Sequence, residues 1–222
     1  MINADCMDVM KHIHDNEVEL SCVDPPYGIN WMEQIENPNT GKNWKIYEKK
    51  EWDSSAPTKE YFEELFRVSK NQIIWGGNYF DLPATPCYLA WDKMQEFSGA
   101  TFELAWTSFK SPAKAFRMSR VEAYVGQNKI HPTQKPVALY KWLLSRYAKP
   151  GDRILDTHGG SGSICIACHD LGFDLTWMEL DADYYEAACK RYKNHAAQAS
   201  LFDPVELTKE TSAPELFEGG KE

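Results

Sequence analysis

No apolar run in this chain approaches the roughly 18 residues that a membrane-crossing helix needs, and the start Met1-Ile2-Asn3-Ala4-Asp5 lacks the basic and apolar pattern of a signal peptide. A soluble, cytoplasmic protein is the expectation. The six cysteines, Cys6, Cys22, Cys87, Cys165, Cys168 and Cys189, are scattered through apolar or helical contexts, so reduced thiols are expected. Cys165-Ile166-Ala167-Cys168-His169 matches a haem-attachment pattern in letters, but it falls in an apolar helical stretch suited to packing, and neither haem nor metal is expected. An excess of positive charge is also missing. Against 33 acidic residues there are 24 Lys and Arg, a net charge of −9, which weighs against a nucleic-acid partner until the distribution is considered. Residues 203–222 carry six acids and two bases, so an acidic, loosely held tail over 201–222 accounts for nearly half the imbalance. Lys110, Lys114, Arg117 and Arg120 form a basic run with no acid between them, and Lys42, Lys45, Lys49 and Lys50 form another. Each run reads either as a solvated face or as a set of phosphate contacts. No internal repeat is present.

What remains fits one domain over residues 1–200. Glu19 to Asp24 is an apolar run bounded by Pro25-Pro26 and reads as a buried strand. Residues 28–55 lack periodicity and read as a mobile functional loop, with Trp31, Trp44 and Trp52 in or beside it to stack on a ligand or to anchor the loop. Pro57 opens a helix with Tyr61, Phe62, Leu65, Phe66 and Val68 on its apolar face, and strands follow at Gln72–Trp75 and Tyr88–Trp91. Within 92–128, Glu103–Trp106 and Ala123–Val125 read as strands flanking the basic run. Lys135-Pro136 starts a helix that stops at Lys149-Pro150-Gly151-Asp152. A strand at Arg153–Thr157, a glycine loop, a helix from about Ser161 to Leu171, a strand at Leu175–Leu180 and a helix from Asp183 to about His195 then give a β-α-β-α run. That order predicts an α/β fold with a parallel, helix-covered sheet.

Two strand ends carry the chemistry. Asp156-Thr157-His158-Gly159-Gly160-Ser161-Gly162 places a glycine-rich loop between strand and helix, where backbone N–H groups face open space beside the sheet. Glu179 ends the next strand about twenty residues on, the spacing of a carboxylate that accepts ribose hydroxyls. No Gly-Lys-Ser/Thr follows, and the third glycine of the dinucleotide fingerprint is missing, so ATP and NAD become less attractive. In Asp24-Pro25-Pro26-Tyr27 the prolines fix the backbone and remove two N–H donors, leaving the carboxylate and the carbonyls as acceptors. The tetrapeptide is a rigid turn with a capping Asp, or an acceptor site for an amine with Tyr27 as a stacking ring.

These segments resemble the S-adenosylmethionine-dependent DNA amino-methyltransferases, in the group whose catalytic motif precedes the cofactor motif. The resemblance spans most of residues 1–195. It rests on Asp24-Pro25-Pro26-Tyr27, Ile130-His131-Pro132-Thr133-Gln134-Lys135-Pro136, the loop Asp156 to Gly162, and Glu179. It implies a doubly wound, mostly parallel seven-stranded sheet of Rossmann-like type with one antiparallel strand, in a circularly permuted order that starts with a short strand at Met1–Asn3. It implies catalysis at Asp24, Pro25, Pro26 and Tyr27. The implied cofactor site comprises Asp5, Asp24, His131, Thr133, Gln134, Lys135, Asp156, His158, Gly160, Ser161, Gly162, Glu179 and Leu180, with Asp5 accepting the adenine amino group.

The implied partner is double-stranded DNA, contacted through Lys110, Lys114, Arg117 and Arg120 in a short recognition insertion at 92–128. A homodimer and a cognate restriction enzyme are left open. Asp at position 24 leans toward adenine N6, with cytosine N4 as the alternative. Cys22 is expected to be packing, not a nucleophile. Thr157-His158 departs from the family's Asp-Pro-Phe, and His158 either meets the cofactor or serves structure. Trp177 stands where the family has glycine, so its ring either crowds the adenine pocket or turns into packing. Crowding would leave a catalytically silent DNA-binding subunit.

Overall fold

The computed structural model describes residues 1–30, 53–94, 100–125 and 129–199. Expectations for Trp31, Trp44, Trp52, the lysines from Lys42 to Lys50 and the tail 201–222 lie outside those residues. The described chain forms an eight-stranded sheet with helices on both faces. In chain order the elements are β1 (Ile2–Asn3), α1 (Cys6–Met10), β2 (Val18–Val23), α2 (Lys59–Val68), β3 (Ser69–Trp75), β4 (Tyr88–Asp92), β5 (Phe102–Thr107) and β6 (Lys114–Arg117). There follow α3 (Arg120–Tyr124), α4 (Val137–Tyr147), β7 (Arg153–Asp156), α5 (Ser163–Leu171), β8 (Asp174–Glu179) and α6 (Ala182–Ala199). No helix among the described residues is long and apolar enough to cross a membrane.

The sheet order is β1-β8-β7-β2-β3-β5-β4-β6. Only β5 runs against its neighbours. From the centre the chain builds outward in two directions, β2 to β3 on one side and β7 to β8 on the other. The linking helices lie on opposite faces. α2 packs with Met10, Val23, Ile74 and Met178, whereas α5 packs with Cys22, Ile73, Ile154 and Trp177. Successive side chains of a strand point to opposite faces, so Ile73 and Ile74, or Trp177 and Met178, feed different cores; this is why these strands read as continuous apolar runs. The crevice between the carboxyl ends of β2 and β7 is the switch point at which ligands bind in such sheets.

The short β1 lies beside β8, with Ile2 opposite Met178, as the permuted order requires. Two local expectations change. Ala123–Val125 is not a strand: Arg120–Tyr124 is a helical turn closed by a capping box, in which the Ser119 side chain accepts from the Glu122 N–H and the Glu122 carboxylate accepts from Ser119 N–H. The seven expected strands become eight because Lys114–Arg117 pairs in parallel with β4 at the sheet edge. Residues 102–107 and 114–117, both within the span assigned to a recognition insertion, are strands of the main sheet.

Candidate active site

Asp24 follows β2 directly and lies at its carboxyl end. The turn after it is clamped from outside the motif: the buried Asp53 carboxylate accepts from the backbone N–H of Tyr27 at 2.7 Å and of Gly28 at 2.9 Å. The Tyr27 hydroxyl donates to Asp24 Oδ1 at 2.7 Å. Its ring stacks on the half-exposed Tyr79, with centroids 4.9 Å apart and planes 13° apart. The ring also lies against Gly76, which has φ +69°, and a Cβ there would sit 2.1 Å from Tyr27 Cε1. Glycine is therefore required for the ring to reach this place.

The second Asp24 oxygen accepts from Lys135 Nζ. Lys135 enters from the segment before α4, and its side chain is 1% exposed. The same ammonium lies 3.2 Å from Glu103 Oε2 and 5.0 Å from the Trp75 ring centroid, while Lys93 Nζ holds Glu103 Oε1 at 2.8 Å. Burial raises the Asp24 carboxyl above the ordinary range against the pull of Lys135. Burial would also raise Glu103, but Lys135 and Lys93 together overcome it and hold that carboxyl at about 2. Burial alone would lower Lys135; the two carboxylates reverse this and keep it an ammonium.

A cleft of about 690 Å³ opens beside Asp24, within the size range of small-molecule sites. Of the residues expected at a cofactor, Asp5, Asp24, His131, Thr133, Gln134, Lys135, His158, Gly160, Ser161, Glu179 and Leu180 line it. Five remote segments thus meet at one crevice. Glu179 holds the glycine loop in place, accepting from Gly160 N–H at 2.7 Å and from Asp181 N–H at 2.8 Å. Asp5 caps α1 through the Met7 N–H at 2.8 Å. Gln134 Oε1 accepts from Ile130 N–H at 3.0 Å, and its buried Nε2 has no acceptor among the described residues. The His158 ring, pushed down to about 4 by burial and hence neutral, contacts Thr157 Oγ1 at 2.9 Å, and that oxygen lies 2.7 Å from the Tyr61 hydroxyl.

Asp156 and Gly162 do not line the cleft. Asp156 is 2% exposed and accepts from His158 N–H at 3.1 Å. Gly162 caps α5 against Ala188. Burial above all, then the charges of Asp24 and Glu179, push the Asp156 carboxyl from 3.8 up to about 8 against the His158 hydrogen bond. The folded protein keeps its proton at neutral pH while the unfolded chain releases it. Stability is therefore greatest, as far as this group is concerned, below the unfolded value of 3.8, and falls as pH rises toward about 8. In Asp156→Asn that slope disappears from a series of urea denaturations across this pH range; an unchanged slope would show that Asp156 is ionised in the fold.

Trp177 turns away from the cleft. Its ring is fully buried in the core beneath Gly159, where a Cβ would lie 1.9 Å from the indole. Cys22 is likewise core, its thiol pushed well up by burial. The basic run is divided: Lys114 pairs with Leu89 at the start of β4 and Arg117 with Asp92 at its end, so Arg117 lies at the site edge of the sheet and Lys114 at the far edge. Lys110 follows β5, the antiparallel strand, and shares the far edge. Arg117 Nε lies 3.1 Å from Asp92. Tyr79, Asp53, Lys93 and Glu103 gave no motif signal. Arg191 was also missed; it donates to the Ser161 carbonyl and to Ser163 Oγ, each at 2.9 Å, and braces the glycine loop from α6.

A sheet wound outward from a crevice, with Asp-Pro-Pro-Tyr on one central strand end and a glycine loop on the other, is the architecture of the doubly wound α/β proteins that bind a ligand at the switch point. The DNA methylase family model of N6/N4 type matches residues 29–190, and the chain belongs to that family. The Type II methyltransferase M2.MboI of Moraxella bovis is 22% identical over 245 residues, covering 85% of this chain and 85% of the relative. Two solved structures share the fold. M1.HpyAVI in complex with SAM has a TM-score of 0.55 at 18% identity, covering 86% of this chain and 98% of that one. The cytosine-N4-specific PvuII DNA methyltransferase has a TM-score of 0.56 at 12% identity, covering 85% and 84%.

Proposed function

We propose that this protein transfers a methyl group from S-adenosylmethionine to the exocyclic N6 amine of adenine in DNA, with the base turned out of the duplex. The observation that carries the reading is the Asp24 carboxylate at the rim of the cleft that the glycine loop and Glu179 also line. Bound there, S-adenosylmethionine supplies an electrophilic methyl on a sulfonium. The cleft fits such a group: Asp5, Glu179, Asp24 and Asp181 give it an acidic wall, and Gln134 Nε2 is a buried donor in want of an acceptor. Glu179 is suited to ribose hydroxyls.

On the other side Asp24 and the Pro25 carbonyl accept from the amine, whose lone pair is otherwise delocalised into the ring. Those bonds draw it toward tetrahedral geometry as it attacks. Turning out the base costs a few kcal/mol, which stacking on Tyr27 offsets once Tyr79 gives up its place. The buried Trp177 supports an open cofactor pocket over a silent binding subunit. Labelled methyl transfer to unmethylated duplex DNA, with nucleoside analysis, is expected to yield N6-methyl-2′-deoxyadenosine; N4-methyl-2′-deoxycytidine would move the target to the other base of the family.

Arg117 and Arg120 are the phosphate contacts of this reading, since β6 brings Arg117 to the site edge. Arg117→Ala/Arg120→Ala is expected to reduce the slope of log K against log salt by about 2, one counterion per contact. Lys110→Ala/Lys114→Ala is expected to leave it near the wild-type value, and the reverse pattern would place the duplex across the far edge.

A further inference from the structure

We infer that Glu103 is a positioning residue for the transfer centre: it takes up the Lys135 ammonium when the Asp24 carboxylate turns to the target amine. This rests on the function proposed above. With Lys135 bonded to it, Asp24 is a weakened acceptor, and a neutral amine cannot displace an ammonium from a carboxylate. The ammonium must nevertheless keep a counter-charge, because its side chain is 1% exposed and out of reach of bulk water.

Glu103, with Oε2 at 3.2 Å, is the other carboxylate within ion-pair distance of Lys135 among the described residues, and the Trp75 face 5.0 Å away offers a second favourable contact. Lys93 holds the far oxygen of Glu103 at 2.8 Å and so shares that carboxylate's charge with Lys135. Two carboxylates and two ammoniums alternate in the order Asp24, Lys135, Glu103, Lys93. A small shift of Lys135 along that line frees Asp24 for the amine while the buried ammonium keeps a carboxylate partner. Glu103 stands on β5, outside every motif of the sequence.

The test measures methyl transfer to unmethylated duplex DNA at saturating S-adenosylmethionine, with cofactor affinity determined separately by calorimetry. Glu103→Gln leaves Lys135 held by Asp24 alone and is expected to lose about tenfold or more in kcat while cofactor affinity stays within about twofold. Glu103→Asp is expected to restore most of the rate. Glu103→Gln/Lys135→Met removes the trapped ammonium and is expected to be faster than Glu103→Gln, a sign of coupling that a structural role does not produce.

A double variant as slow as Glu103→Gln, or a Glu103→Gln rate within about twofold of wild type, overturns the inference. If Glu103→Gln does not fold, Lys93→Met tests it in the opposite direction: Glu103, released from Lys93, holds Lys135 more firmly and kcat does not fall. A fall of about tenfold there overturns it. Wild-type protein that transfers no methyl to DNA removes the functional reading and this inference together, whereas active wild type with unaffected variants removes the inference alone.

Discussion

Asp24→Ala is expected to leave a folded protein whose single-turnover methyl transfer is slower by about 10³-fold, the upper end for removing one acceptor or donor that acts on developing charge. Two features of the site set this size. The amine gains positive character as its lone pair leaves the ring, so a carboxylate beside it stabilises the transition state more than the ground state. Folding survives because the Lys135 ammonium, the group most exposed to damage, retains Glu103 at 3.2 Å. Removing one partner of a buried pair usually strands the other charge at a cost of about 3–5 kcal/mol; here a second carboxylate is already in place. Asp24→Asn, which keeps the shape and one acceptor, should lose less. A rate for Asp24→Ala within about tenfold of wild type would place the reacting amine elsewhere.

Gly159→Ala carries the other large effect, on stability and cofactor binding together. The new Cβ would lie 1.9 Å from Trp177 Cε2 and 2.1 Å from Nε1, well inside contact distance, and neither side can yield. The indole is fully buried, and Gly159 N–H is bonded to the Met178 carbonyl at 2.8 Å, on the same strand as the ring. Overpacking of this kind costs about 3 kcal/mol or more when the surroundings are rigid, and the displaced loop carries Gly160, which Glu179 holds. Urea denaturation should show the loss, with weaker S-adenosylmethionine binding by calorimetry. Trp177→Ala alone opens a cavity worth about 3–5 kcal/mol. Gly159→Ala/Trp177→Ala should cost less than the two single changes added together, because one fills what the other empties. Strict additivity would mean that the ring and the loop do not touch.

The Trp177 contact also shows how sequence and structure divide the information. A bulky residue at a position where the family has glycine left two outcomes, since the alternation of β8 has two faces and a sequence does not say which residue of the neighbouring loop lies beneath a ring. The fold resolves it: Trp177 fills the core under Gly159, and the cleft is lined by other residues. The capping box at Ser119 and Glu122 was written in the sequence, but the apolar Ala123-Tyr124-Val125 suggested a strand. A five-residue helical turn is too short for its periodicity to compete.

By itself the sequence determined the alternation of strands and helices, the two loops at strand ends, and the acidic residue after the second. These are local matters of turn chemistry and hydrophobic period, and they sufficed for the α/β class; the permuted order and the residues assigned to the cofactor came from the resemblance to the methyltransferase family. Only the tertiary structure decided what lies across from them. Glu103 on the antiparallel β5, Lys93 after β4, Asp53 beneath the Tyr27 turn and Tyr79 against its ring are distant in sequence from the groups they touch, and none belongs to a motif. The charge state of Asp24 and the placement of the basic residues depend on such pairings, because electrostatic interaction falls with distance in space and is indifferent to distance along the chain.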